Sequence, residues 1–289
     1  MGLDRRSFLR LAAGTGAAVV AGLALDGCGG GASPELTLIP NDWEFLTGQY
    51  RLAVLIASSK VNGAPVQLDA PVTLRVGPER GPLGPPLRTV LHADGPEPAY
   101  AMTTYRFDRA GVYNLEAAYK GTRVSEPISV VDPSSSPTPV VGARLIRTPT
   151  PTVAAPMGVD PVCTAQPPCP FHQVSLDTAL DRHRPIALLF ATPALCQSRF
   201  CGPVLGNLTD VHGPWAQAVT FIHCEIYNNL QGPTSDADGN TTKPVTAFGL
   251  QHEPMLYLAG PDGVIRTRID NLFDRAEARD ALSQAFDPV

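Results

Sequence analysis

Two thiols are placed to do chemistry: Cys196 and Cys201, in the run Ile186-Ala-Leu-Leu-Phe190-Ala-Thr-Pro-Ala-Leu-Cys196-Gln-Ser-Arg-Phe-Cys201-Gly-Pro203. An apolar run ends, a short loop follows, and the thiols flank the expected start of a helix. A thiol there feels the positive end of the helix dipole, which stabilises the thiolate, the reactive form. Cys196, ahead of the helix, is expected to be the exposed nucleophile of lower pKa, and Cys201, one turn in, the resolving thiol. Arg199 lies between them and adds a cation that favours a thiolate. Closing the bridge needs Cα atoms within about 7 Å, which a tight turn permits and a continuous helix does not. The bland alternative is a structural disulfide that pins the helix start.

The elements that must position this pair begin near Phe171. Ser175 stands at the N-cap of a short helix running to Asp181, and Pro185–Phe190 reads as a buried strand, uniformly apolar as strands covered on both faces are. Residues 202–211 form a helix with Pro203 in its first turn. Val219–Ile226 is a second strand, and Lys243–Gly249 a short helix ending at Gly249. Met255–Leu258, the turn Pro261-Asp-Gly263 and Val264–Ile269 make a hairpin, closed by an amphipathic helix from Ala276 to Phe286.

A β-α-β unit followed by helix, hairpin and helix resembles the thioredoxin fold, over roughly residues 171–289. The strand-to-thiol junction at Phe190–Cys196 and the dipeptide Glu253-Pro254 entering the hairpin carry the resemblance. It implies that Pro254 has a cis peptide bond and sits against the reactive disulfide, with Glu253 and His252 as supporting neighbours. The chain departs from the family pattern in three places. Its cysteines are spaced Cys-x4-Cys instead of Cys-x-x-Cys. Leu188 and Leu189 stand where family members often carry a buried acid. Phe200-Cys201-Gly202-Pro203-Val204 mimics Trp-Cys-Gly-Pro-Cys with Val204 in place of the second thiol.

Cys163 and Cys169, in Cys163-Thr-Ala-Gln-Pro-Pro-Cys169, are expected to close a small structural disulfide worth about 2 to 3 kcal/mol in the chain-entropy view. Relaying electrons to Cys196 is their alternative role. Cys224, in an apolar strand beside His223, reads as a buried core thiol. No resident metal and no cofactor is expected.

The N-terminus, Asp4-Arg5-Arg6-Ser7-Phe8-Leu9-Arg10 followed by a mild apolar stretch to Leu25, reads as an export signal and resembles the twin-arginine type. Leu25-Asp26-Gly27-Cys28 resembles a bacterial lipobox, which implies lipidation of Cys28 and tethering to the outer face of the cytoplasmic membrane, with Gly29-Gly-Gly31 as a flexible leash. Losing residues 1–27 removes three arginines and two aspartates and moves the net charge from −5 to −6. An acidic exported chain has no electrostatic case for binding nucleic acid.

Residues 36–132 carry short apolar or alternating runs, among them Tyr50–Ile56, Val72–Val76, Ala101–Phe107 and Val112–Tyr119, punctuated by Asn62-Gly63, Asp94-Gly95 and Ala110-Gly111. This predicts an all-β sandwich of immunoglobulin-like type, with a binding or spacer role. Residues 133–162 change to Pro133-Ser-Ser-Ser-Pro137-Thr-Pro139 and Thr148-Pro-Thr-Pro-Thr152, a semi-extended linker. The expected organisation is an export signal (1–27), a tether (28–35), the β-sandwich (36–132), the linker (133–162) and an α/β thioredoxin-like domain (163–289).

The expected function is thiol–disulfide exchange with exported protein thiols or disulfides. Peroxide reduction is an alternative, since Thr192-Pro-Ala-Leu-Cys196 is similar to peroxiredoxins of the bacterioferritin-comigratory type, although Pro193 stands where that family places its Thr. Copper handling through Cys196, Cys201 and His252 is another, and a non-catalytic interaction module the last.

Overall fold

The alternating runs of the first half build two sheets. The computed structural model describes residues 35–286 apart from 59, 61–62, 197 and 233–238; the export signal and Cys28 lie outside the described residues. In chain order the strands are β1 (Leu36–Pro40), β2 (Phe45–Leu46), β3 (Gly48–Ser58), β4 (Ala64–Pro65), β5 (Thr73–Pro78), β6 (Leu87–Arg88), β7 (Val90–His92), β8 (Tyr100–Phe107), β9 (Gly111–Tyr119) and β10 (Thr122–Val131). One sheet runs β1-β3-β8-β7, with β4 on β3, and the other β2-β10-β9-β5-β6. The first strand is shared: β1 pairs antiparallel with β3, and β2 then crosses to pair parallel with β10. That order is the immunoglobulin-like one. Lys120 (φ 47°) and Gly121 (φ 82°) join β9 to β10 in a two-residue turn that needs both in the left-handed region.

One strand explains how the halves meet. In β3, the run Leu52-Ala-Val-Leu-Ile-Ala57 is buried throughout, unlike the half-exposed alternation of β10. Leu52, Val54 and Ile56 face the sandwich interior, whereas Ala53 and Leu55, with Tyr100 of β8, pack into the core of the second half. A strand covered on both faces has no polar side to show.

Polar groups rim this contact. Arg51 reaches Asp42 (3.0 Å), the Leu272 carbonyl (2.7 Å) and both carboxylate oxygens of Glu277, which also accepts from the Tyr100 hydroxyl. Nearby, His92 Nδ1 lies 3.0 Å from Asp274 Oδ1. Burial opposes the charge on His92, but the Asp274 hydrogen bond and the Glu277 charge outweigh it and raise its pKa. Asp274 is also desolvated, yet His92 and the backbone N–H groups of Glu277 and Asp94 hold it down at about 2. His92, raised in the fold, contributes stability that is full below about pH 6.5 and is lost as pH rises through its folded value. Asp274, depressed, contributes stability present above about pH 4 and lost on acidification towards 2, roughly 2 kcal/mol in all. The stability advantage of wild type over His92→Gln, measured by urea unfolding at a series of pH values, is therefore expected to be largest between about pH 4 and 6.5. An advantage independent of pH would show that the pair carries no charge.

In the second half, β11 (Ile186–Phe190), β12 (Thr220–Cys224), β13 (Met255–Ala259) and β14 (Ile265–Asp270) form one sheet in the order β12-β11-β13-β14. β11 runs parallel to β12, and the other pairings are antiparallel. The helices are α1 (Leu176–Asp181), α2 (Cys201–Val211), α3 (Lys243–Ala247) and α4 (Arg275–Phe286). β11, β12 and β13 are buried at every residue. Ala187, Leu189, Leu256 and Leu258 point to one face, packed with residues of α2 and α4, while Ile186, Leu188, Met255 and Tyr257 point to the other, packed with residues of α1 and α3. Among the described residues no helix is long and apolar enough to cross a membrane.

The proline-rich segment 133–162, which opens on a 3-10 turn at Pro133–Ser135 and contains further turns, is docked on the second half. Leu145 is buried in the second half's core, and the Leu145 N–H donates to Gly263 O (2.9 Å) while Ile265 N–H donates to Ala143 O (2.8 Å). Thr150 is buried and its hydroxyl accepts from Leu176 N–H at the start of α1. Backbone pairing with a sheet edge supplies the order that the segment's composition lacks.

Candidate functional site

The register of the sheet decides where the thiols emerge. Phe190, the last residue of β11, pairs with Met255, the first of β13. Residues 191–200 therefore leave the sheet at the end where Glu253-Pro254 enters it. The Glu253–Pro254 bond is cis. Thr192 N–H donates to Glu253 Oε2 (2.7 Å) and the Ser198 hydroxyl to Glu253 O (3.3 Å), tying the thiol loop to the segment facing it.

Cys196 and Cys201 are joined as a disulfide with Cα atoms 5.8 Å apart. The loop closes through a turn: Arg199 N–H reaches back to Cys196 O (3.4 Å), and Arg199 sits in the left-handed region (φ 66°). The two sulfurs have different surroundings. Cys196 is half-buried, and its sulfur accepts from Cys201 N–H (3.1 Å), the first amide of α2, with the Ser198 hydroxyl 3.3 Å away. Cys201 is fully buried, and its sulfur lies 3.3 Å from Glu253 Oε2. A sulfur that receives a helix N-terminal amide is stabilised as thiolate once the bridge opens. A buried carboxylate beside the second sulfur is a proton acceptor for its thiol.

The structure brings Cys196, Cys201 and Glu253 together, with Pro254 next to Glu253 in the chain. Arg199 is exposed, and its guanidinium has no hydrogen bond or ion pair among the described residues, so it acts through its backbone conformation. His252 Nε2 lies 3.3 Å from Asp270 Oδ2 and the ring stacks on Trp43 at 6.0 Å. Ser198 was not among the residues expected at the site, and it gives no signal beyond its place between the thiols. Glu253, expected there as a neighbour of Pro254, stands beside the second sulfur as a buried acid.

The expected Cys163–Cys169 disulfide is not formed; both are free thiols. They face two imidazoles instead: His223 Nδ1 lies 3.4 Å from Cys169 Sγ and 3.9 Å from Cys163 Sγ, and His172 Nε2 is 3.0 Å from His223 Nδ1. Cys163 is the thiol held below the ordinary range, by the hydrogen bond from Cys169 first and then by those of His172 and His223. The spacing Cys163-x5-Cys169-x2-His172 was the available signal. Cys224 is buried in the core, and burial pushes its thiol up to about 12.

No known protein family and no curated protein matches the sequence. Solved structures similar to this chain include the filamin domain of Lin-41, at 13% identity over 35% of this chain and 95% of that one, with a TM-score of 0.24. Salmonella alpha-2-macroglobulin reacted with methylamine is 20% identical over 35% of this chain and 6% of its own, with a TM-score of 0.26. The ectodomain of mouse nectin-like molecule 4 is 17% identical over 34% of this chain and 33% of its own, with a TM-score of 0.20.

Proposed function

We propose that the chain is an exported thiol–disulfide oxidoreductase, tethered through a lipid on Cys28, whose second half is a thioredoxin-like domain working through Cys196 and Cys201. The observation that carries this reading is the asymmetry of the bridge: one half-exposed sulfur on a helix amide, one buried sulfur on a carboxylate. The strand order β12-β11-β13-β14 with its single parallel pair, and the cis bond before Pro254, support the fold assignment.

The exchange balances as follows. In the reduced chain the Cys196 thiolate attacks one sulfur of a partner disulfide, forming a mixed disulfide and releasing the partner's other sulfur as thiolate. Glu253 takes the Cys201 proton. The Cys201 thiolate then attacks Cys196 Sγ, reforming the Cys196–Cys201 bridge and releasing the second partner thiolate. Two electrons pass to the partner; run in reverse, the same steps oxidise a partner dithiol. Cys196 and Cys201 react, Glu253 moves the proton, and Ser198 and Pro254 shape the surface that receives the partner's sulfur.

Alkylation of the reduced chain by iodoacetamide as a function of pH tests the reading. Cys196 is expected to react with a half-point below the ordinary thiol value of about 8.5, and the chain to accelerate reduction of insulin disulfides by dithiothreitol. An ordinary half-point with no acceleration sinks it. Consumption of hydrogen peroxide without disulfide exchange would assign the site to peroxide reduction instead.

A further inference from the structure

Beneath the redox loop lies a second cluster that thiol exchange does not use. Cys163, Cys169, His172 and His223 each offer one donor atom, and all four donors lie within 4.8 Å of one another. We propose that these residues hold a structural zinc ion.

Three observations carry the assignment. The first is the shape of the donor set. Tetrahedral zinc with bonds of about 2.3 Å to sulfur and 2.05 Å to nitrogen places its ligands about 3.3 Å (N to N), 3.6 Å (N to S) and 3.8 Å (S to S) apart. The observed separations are 3.0 Å between the imidazole nitrogens and 3.4 and 3.9 Å from His223 Nδ1 to the two sulfurs. The second is the orientation of His223. Its Nε2 donates to Ala191 O at 2.9 Å, which holds the ring with Nδ1 aimed at the cluster. Metal-bound histidines are held by this kind of outer hydrogen bond. The third is burial: Cys163, His172 and His223 are buried and Cys169 half-buried, so the set is closed, with no position left for water or substrate.

Two sulfurs and two imidazoles in a tetrahedron select zinc among the common divalent ions. Both cysteines would ligate as thiolates, and two thiolates cancel the charge of Zn²⁺, so the filled site is neutral and suits a buried place. Its position gives it work. His223 belongs to β12, the cysteines and His172 to the segment ahead of α1, and Thr164 Oγ1 accepts from Ala194 N–H (3.2 Å) in the loop that leads to Cys196. The ion would pin residues 163–172 under the redox loop.

Elemental analysis of the full chain purified from zinc-supplemented cells is expected to give one zinc per chain. Cys196→Ser/Cys201→Ser should retain it, whereas Cys163→Ser and His172→Ala should each fall more than tenfold. Chelation is expected to lower the melting temperature of the wild type by about 10 °C or more and leave Cys163→Ser unmoved. Should those variants fail to fold, cobalt substitution in the wild type decides: thiolate-to-cobalt charge transfer with tetrahedral ligand-field bands is expected. Less than a tenth of an equivalent of zinc on reduced, zinc-titrated chain overturns the proposal. So does full occupancy in Cys163→Ser, or octahedral cobalt spectra.

Discussion

In the exchange proposed above, Cys196→Ser is expected to lower disulfide exchange by on the order of 10³-fold or more, because it removes the group that would make the first new bond. Cys201→Ser should behave differently. Its Cys196 still sits on the Cys201 backbone amide, so attack proceeds but resolution does not, and the chain accumulates as a mixed disulfide with its partner. Glu253→Gln separates chemistry from architecture. The amide keeps the shape and still accepts from Thr192 N–H, but it takes no proton from Cys201. Resolution near pH 7 is then expected to slow by roughly 10- to 100-fold and to recover above about pH 8.5, where the thiol ionises unaided. Stopped-flow measurement of mixed-disulfide decay against pH reads this directly. A uniform slowing at every pH would make Glu253 a positioning residue, and unchanged exchange in Cys196→Ser would remove the pair from the mechanism.

How much of this was legible in the sequence follows from the range of the forces involved. The ends of β11, α2 and the hairpin could be read within a residue or two because apolar runs, Pro203 and the Pro261-Asp-Gly263 turn are local signals. The immunoglobulin-like sandwich was legible for the same reason, although β10 went unread despite its alternating Val124, Ile128 and Val130. Convergence over long separations was not legible from local pattern. Glu253 meets Cys201 across 52 residues, an approach expected only through the family resemblance, and His223 meets Cys169 across 54, which nothing in the sequence reports. Spacing alone favoured a Cys163–Cys169 bridge, since two thiols six residues apart can reach each other. The imidazoles that compete for them arrive only with the fold.

The shared core changes the part the sandwich plays. A domain held by a flexible linker contributes reach; one whose β3 buries Ala53 and Leu55 against the helices of the second half contributes stability and a fixed position. Segment 272–277 joins the two halves. Asn41 Nδ2 donates to Leu272 O (3.2 Å), Arg51 to the same carbonyl, and Asp274 N–H to the Tyr100 hydroxyl (3.0 Å), so the sandwich anchors the segment leading into α4, whose first turn Asp274 caps by accepting from Glu277 N–H (2.7 Å). α4 in turn packs on α2, the helix whose first amide holds Cys196.

Arg51→Ala is accordingly expected to destabilise the chain by about 3 kcal/mol, in the lower part of the range for removing one partner of a buried pair, since the Arg51 side chain keeps 17% exposure. The loss is electrostatic before it is steric. Burial pushes Asp42 up to about 8 even with Arg51 3.0 Å away, because desolvation outweighs the guanidinium's charge. With Asp42 raised, Glu277 is the acid whose ion pair Arg51 completes, and without the cation it is left with no ion-pair partner in a dry contact beside Tyr100. Urea unfolding at neutral pH is the measurement, with Arg51→Met as the control that keeps the aliphatic packing and loses the charge. Both variants should show the same deficit. A deficit in Arg51→Ala alone would make the contribution one of packing, and a loss below about 1 kcal/mol in both would mean that the apolar face of β3 holds the two halves together without the ion pair.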